Sequence, residues 1–226
     1  MNASIHSLKL KLCMSPPLLR EVFALRYVSY RENNFIPEND DGLFIDQYDA
    51  YPCSLNFGVF RGDQLFGCIR ACVANRSRGW YKLPISHAFP EVYERWRDQH
   101  EVVIEWGRFA ISPLHKKHAK AITTTLFGSI PFLANYFNRP AFLCTVREEH
   151  IRYYSAFGYE CIAPPARAYG VSYKTALLAM LWQSNVQRLR EHRVFSRCFL
   201  MRPDLGELCR HDLGAFVSRY EGYDHD

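Results

Sequence analysis

Residues 101–112 read Glu-Val-Val-Ile-Glu-Trp-Gly-Arg-Phe-Ala-Ile-Ser, the densest run of β-branched and aromatic residues in the chain. Such a run predicts a buried strand at the centre of a sheet. Side chains alternate across a strand, so Glu105 and Arg108, three positions apart, would leave on opposite faces. Gly107 between them invites a bulge, which would turn both toward one site and leave backbone N–H groups unpaired. A carboxylate beside free amides suits aminolysis of a thioester: the amides hold the developing oxyanion and the carboxylate takes a proton from the amine. The same spacing also serves a plain strand-end salt bridge, and both readings stand at this point.

Working outward, residues 5–12 alternate as a strand, and Ser15 before Pro16 and Pro17 marks a helix start. Leu18, Leu19, Val22, Phe23, Arg26, Tyr27 and Tyr30 follow at helical spacing, up to Asn33-Asn34. Residues 35–52 form a polar, acidic loop. SLNFGVF and QLFGCIRACVA flank Gly62-Asp63 and predict a hairpin. Residues 75–100 are a long excursion containing Pro84 and Pro90. A helix is expected from about His115 to Phe137, with Gly128 and Pro131 as points of division. AFLCTV (141–146) is a buried strand, and REEHIRYYSAFG a short helix closed by Gly158. One or two strands cover 159–173. From 174 to 192, and again around 204–220, the pattern reads as helical. Hairpins early and alternation late give an α/β (or α+β) fold with a mixed central sheet flanked by helices. The expected organisation is a domain over 1–173 with a C-terminal helical extension, 174–226, packed on it.

Bulk properties narrow the function. The 226 residues are 48% hydrophobic, with 16 Phe, 14 Tyr and 4 Trp, enough for a large core. The net charge of +5 (28 Lys+Arg, 23 Asp+Glu) is mild, and no basic run or zinc-finger pattern points to nucleic acid. The start, MNASIHSLKLKLC, has no apolar signal segment, and the longest apolar run, Ala176 to Trp182, is too short to span a bilayer. Eight cysteines without a CxxC pair read as reduced, buried thiols, and no metal site is expected. The expected compartment is the cytoplasm.

A second polar group lies in the loop and its surroundings. Asp46 and Asp49 share the loop, Arg26 precedes it, and Arg70 sits in a nearly apolar strand, where its charge needs a partner if it points inward and none if it is exposed. These residues suit either a structural ion cluster or a site wall.

Arg26 and Tyr30 in LRYVSYREN, then IDQYD, GCIR and IEWGRFAIS, together resemble the acyl-homoserine-lactone (autoinducer) synthases. They resemble their relatives the N-acyl amino acid synthases at least as well. Both belong to the wider GCN5-related N-acyltransferase fold. Matched residue by residue, the shared pattern falls on Arg26, Tyr30, Phe35, Asp46, Asp49, Arg70, Glu105 and Arg108. YYSAFGYE (153–160) is similar to a late Y-x-x-x-G-[FY] segment of that fold. The resemblance covers about residues 8–165. It implies a GCN5-related fold with a V-shaped sheet, Glu105 and Arg108 as catalytic residues, and Arg26, Tyr30, Phe35, Asp46, Asp49 and Arg70 around the substrate, one arginine being available for an acceptor carboxylate. Autoinducer synthases usually carry a Trp where this chain has Asn34-Phe35-Ile36, and a Leu-Leu-Pro-Thr-Thr-like stretch where it has Ala71-Cys72-Val73-Ala74-Asn75. These differences point toward another amine acceptor.

Acetyltransferases of this fold that use coenzyme A cradle its pyrophosphate on a glycine turn at a helix N-terminus. The stretch here, His115-Lys116-Lys117-His118-Ala119-Lys120, has no glycine. Lys116, Lys117 and Lys120 are therefore expected to meet the acidic surface of an acyl carrier protein, a solvated helix start being the plainer reading. His115 and His118 are taken as surface residues. The expected activity is transfer of a fatty acyl group from acyl carrier protein, in preference to acyl-CoA, to the amine of an amino acid, with no permanently bound cofactor. The alternatives are an autoinducer (quorum-sensing) synthase using S-adenosylmethionine and a non-catalytic acyl-carrier-binding protein.

Overall fold

The computed structural model describes residues 8–204. In chain order these form β1 (Lys9–Cys13), α1 (Pro16–Glu32), β2 (Ser54–Arg61), β3 (Gln64–Asn75), α2 (Pro90–Gln99), β4 (Val102–Ile111), α3 (Ala119–Leu126), α4 (Ser129–Tyr136), β5 (Ala141–Val146), α5 (Ile151–Ser155), β6 (Glu160–Arg167), β7 (Lys174–Leu181) and α6 (Trp182–Glu191). The seven strands make one sheet in the order β1-β2-β3-β4-β5-β7-β6. All neighbours are antiparallel except β4 and β5. This is the mixed sheet with flanking helices expected from the pattern.

Local chemistry explains most element boundaries. Pro16 and Pro90 stand in the first turns of α1 and α2, where a missing N–H costs nothing. Gly62 takes a φ of +60° in the two-residue β2–β3 turn, a conformation that glycine adopts without strain. The long helix expected over 115–137 is divided at Phe127-Gly128 into α3 and α4, and its start, Pro113–His118, is a 3-10 turn. His115 is not a plain surface residue: its ring stacks on Phe66 at 3.6 Å, and its Nε2 is buried without a partner.

The helical reading of 174–192 is corrected in its first half. Lys174–Leu181 is a strand between β5 and β6, and the helix begins at Trp182. Every residue from Thr175 to Met180 is buried, so KTALLAML shows no polar alternation to mark it as a strand. A boundary at 173/174 would cut between two hydrogen-bonded partners. The helical pieces expected around 204–220 lie almost wholly outside the described residues.

Strand alternation sorts the core onto two faces. Ile104, Trp106, Phe142, Cys144 and Val146 pack with Ile122, Leu126, Ile130 and Leu133 of α3 and α4. Val103, Leu143, Leu177 and Ala179 pack on the other face with Leu83, Ile85, Phe89 and Tyr93 from the 83–99 segment. No disulfide joins the cysteines among the described residues. No helix among the described residues is long and apolar enough to cross a membrane.

Candidate active site

The site lies where the central sheet opens. Parallel pairing of β4 with β5 holds from Val103↔Ala141 to Trp106↔Cys144 and then stops. Beyond that point β4 stays with β3 and β5 stays with β7. Gly107, Arg108 and Phe109 on one side, and Thr145, Val146 and Arg147 on the other, line a cavity of about 240 Å³.

The bulge expected near Gly107 is present. Cys68 faces Ala110 and Arg70 faces Gly107, so three steps on β4 oppose two on β3. The extra residue is absorbed at Arg108, whose φ is +52°. Left-handed backbone costs a non-glycine residue about 1–2 kcal/mol. Arg108 is held there by its head group: Nε and Nη2 donate to Asp46 Oδ2 at 2.9 and 2.6 Å, and Nη2 also reaches the Tyr169 carbonyl at 3.2 Å. A Cβ placed on Gly107 would meet nothing within 4 Å, so this glycine leaves open space beside the bulge.

The acidic loop docks onto the same face as Glu105. Asp46 caps the 3-10 turn Gln47–Ala50: its Oδ1 accepts from Tyr48 N, and Asp49 Oδ2 accepts from Asp46 N. The turn therefore presents both carboxylates in one fixed arrangement. Arg70 donates to both oxygens of Asp46, at 2.7 and 3.0 Å, and lies 2.9 Å from Asp49 Oδ1. Arg26, fully buried in α1, donates to Asp49 at 2.9 Å and makes a short bond to Asn56. Burial opposes the charge on Asp46, but the hydrogen bonds and charge of Arg70, and then Arg108, hold its carboxyl far below the usual range. Asp49 is lowered against the same burial, mainly by Arg26 and Arg70. Arg26, Arg70 and Arg108 are thus all committed to loop carboxylates, and the expectation that one of them stays available for an acceptor carboxylate is not met.

Glu105 is 4% exposed. Ile85 N donates to its Oε2 at 2.9 Å, from the 3-10 turn that Pro84 opens. Burial pushes its pKa up to about 8, against the pull of the Ile85 amide, Arg70 and Arg108. Tyr30 and Phe35 meet edge to face at 6.2 Å, and both line the cavity with Glu105. So Glu105, Arg108, Arg70, Tyr30 and Phe35 line the cavity itself, while Arg26, Asp46 and Asp49 form the buried support behind it.

The basic stretch stands apart. Lys116, Lys117 and Lys120 are exposed at the start of α3, and Lys116 pairs with Glu32 at 2.7 Å. Leu114 beside them is 80% exposed.

Sequence reasoning missed several contributors. The Ile85 amide was hidden in the 75–100 excursion, Pro84 being its one local signal. Thr175 Oγ1 and Trp106 Nε1, both on residues lining the cavity, are buried without a partner, polar atoms that a ligand could satisfy. Arg147, at the start of the stretch read as a short helix, and Tyr169 and Tyr173, in the stretch read as one or two strands, also line the cavity.

Comparison with known proteins gives a family and a fold. A family model described as "N-acyl amino acid synthase FeeM" matches residues 21–181. No curated protein matches the sequence. Among solved structures, FeeM, an N-acyl amino acid synthase from uncultured soil microbes, superposes with a TM-score of 0.66 at 16% identity, covering 79% of this chain and 94% of that one. BjaI, a CoA-dependent acyl-homoserine lactone synthase with S-adenosylmethionine and isopentyl-CoA, gives 0.58 at 15% identity over 94% and 97%. The acyl-homoserine lactone synthase LasI gives 0.53 at 19% over 76% and 89%. At these identities the structural likeness establishes a shared fold.

Proposed function

The chain belongs to the FeeM N-acyl amino acid synthase family and is an acyltransferase, and from that premise we propose that it moves a fatty acyl group from acyl carrier protein to the amine of an amino acid. The observation that carries the reading is Glu105 buried on the wall of a cavity opened by the β4–β5 splay, two residues before the bulged backbone at Gly107.

An α-amine has a pKa near 8 and arrives largely protonated. Its positive charge next to Glu105 lowers the carboxyl, so acid and base are matched for transfer of one proton. The free amine then attacks the thioester carbonyl, with the oxyanion on backbone amides near Gly107. The C–S bond breaks, and the pantetheine thiolate leaves and takes up the second proton, which the attacking nitrogen gives up as it becomes the amide. Arg108 and Arg70, fixed by Asp46, keep the wall rigid and positive opposite the developing charge. The acyl chain lies against Trp106, Phe127, Ile130, Cys144 and Val146, an apolar wall suited to a fatty chain.

For the donor, the absence of glycine from 113 to 120 and the exposed Leu114, Lys117 and Lys120 favour an acidic carrier protein over a free nucleotide. The competing reading, a CoA donor with S-adenosylmethionine as acceptor, has the near-complete mutual coverage with BjaI on its side. The reaction is placed in the cytoplasm, where reduced thiols and acyl carriers meet.

The test is a lipid extract. Cells expressing the chain should accumulate N-acyl amino acids by mass spectrometry, and cells expressing Glu105→Gln should not. Acyl lactones in place of acyl amino acids would select the autoinducer reading. No difference between the two strains would remove the catalytic assignment.

A further inference from the structure

Three arginines near the reacting centre are spoken for. Arg70 and Arg108 serve Asp46, and Arg26 serves Asp49 and Asn56. The cavity wall holds one more, Arg147, and its situation differs. It follows β5 directly, in the alternation that puts Leu143, the parallel partner of Glu105, on the Glu105 face. Four residues of strand separate Arg147 from Leu143, about 13 Å. Glu105 and Arg147 line the same cavity, Glu105 from the β4 side of the opening and Arg147 from the β5 side.

The guanidinium of Arg147 is aimed but not saturated. It lies 4.9 Å over the Phe35 ring and 5.9 Å from Tyr173, two rings that themselves meet at 4.6 Å on the cavity rim. Stacking of this kind holds the planar fork in place. Its Nη2 donates to His150 Nε2 at 3.0 Å. Its carboxylate partner is Glu149, at 2.8 Å, with side chains 34% and 57% exposed. An exposed pair is worth about 0–1 kcal/mol, so an incoming carboxylate displaces Glu149 at little cost. By contrast, removing Asp46 from its arginines would strand buried charge.

We infer that Arg147 binds the α-carboxylate of the acceptor while Glu105 faces its amine, so that Arg147 is the residue by which the site selects a free acid over its amide or a carboxyl-free amine. This rests on the acyl-transfer reading of the same cavity. The chemistry is common to a free amino acid and to the methionine end of S-adenosylmethionine, and the test separates the two.

The experiment uses the purified full chain with whichever acyl donor it accepts, carrier-bound or CoA-bound. Each acceptor is offered in three forms: the free α-amino acid, its primary amide, and the amine lacking the carboxyl group. S-adenosylmethionine and its decarboxylated form make the second arm. Wild type should prefer the free acid by about 10- to 100-fold in kcat/KM, as loss of a charge-assisted bidentate contact implies. Arg147→Ala should raise KM for the acid by a similar factor, leave kcat and the donor KM nearly unchanged, and leave the amide rate where it was. Arg147→Lys should recover part of the preference, and an unchanged Tm in both variants should show the fold intact. An acid preference that survives in Arg147→Ala would overturn the assignment. So would a KM rise confined to the donor, which would make Arg147 a contact for the pantetheine phosphate. Wild type that acylates only carboxyl-free amines would overturn this inference and spare acyl transfer. No transfer to any amine would sink both.

Discussion

The backbone amide of Ile85 donates to Oε2 of Glu105 at 2.9 Å, across a buried boundary between a proline-led turn and the central strand. One amide is a small counterweight to full desolvation, and the carboxyl is pushed up to about 8 by burial all the same. Glu105 is therefore mostly neutral at pH 7 in the free protein and is held in one orientation for the arriving amine.

This position fixes a pH dependence. As base, Glu105 must be ionised, so kcat/KM should rise with pH up to about 8 and then level off. Stability runs the other way. The folded state keeps a proton that the unfolded glutamate loses near pH 4.3, so its contribution is complete below that value and is lost as pH rises toward 8. Glu105→Gln keeps an acceptor for Ile85 and cannot ionise. It should be inactive, yet melt several degrees above wild type at pH 9 and close to it at pH 5. Equal melting curves at both pH values would contradict a buried, proton-holding Glu105.

Asp46 carries the opposite sign. Its carboxyl is lowered, so its stabilisation is present above the unfolded value near 3.9 and lost as pH falls through the folded one. Asp46→Ala leaves Arg108 without its carboxylate and Arg70 with Asp49 alone. Denaturant melts at neutral pH should show a loss of about 3–5 kcal/mol, the scale for removing one partner of a buried pair. A loss under 1 kcal/mol would mean that water reaches the cluster freely.

Arg108 couples backbone strain to an ion pair, and two substitutions separate them. Arg108→Ala loses the pair and keeps the strained φ, whereas Arg108→Gly loses the pair and relieves the φ. The glycine variant should unfold about 1 kcal/mol later than the alanine variant, with both far below wild type in activity. Alanine matching glycine in stability would indicate that the bulge relaxes once the head group is gone.

The donor proposal predicts a charge effect. Replacing Lys116, Lys117 and Lys120 with Glu should raise KM for an acyl carrier protein several-fold and leave turnover of a short pantetheine thioester unchanged. The effect should shrink as salt rises and the screening length falls to about 8 Å near physiological strength. Lys116 already pairs with Glu32, so Lys117 and Lys120 should carry most of the change. Equal efficiency with acyl-CoA and indifference to the charge reversal would make this stretch a solvated turn.

From its sequence alone the chain determined those elements whose pattern is local. EVVIEWGRFAIS is apolar and β-branched enough to be a strand wherever it sits, Gly107 marks its bulge, and Gly62-Asp63 closes a hairpin between its own flanks. Asp46 and Asp49 could be grouped with Arg26 and Arg70 because charges in apolar surroundings need partners. Tertiary structure decided the rest. KTALLAML, buried on both faces, has no period to tell strand from helix, and only its pairing with Ala141–Val146 and Glu160–Arg167 makes it a strand. Which arginine takes which carboxylate depends on contacts across 23 to 62 residues of chain, so no spacing rule could show that Arg26, Arg70 and Arg108 are all occupied. The amide of Ile85 reaches Glu105 from 20 residues away in a segment with no regular pattern of its own. In the sequence Arg147 is only the first residue of the stretch REEHIRYYSAFG, read as a short helix. It became a candidate receptor only when β4 and β5 parted and Phe35 and Tyr173 closed over it, because a side chain's role depends on what folding leaves for it to bind.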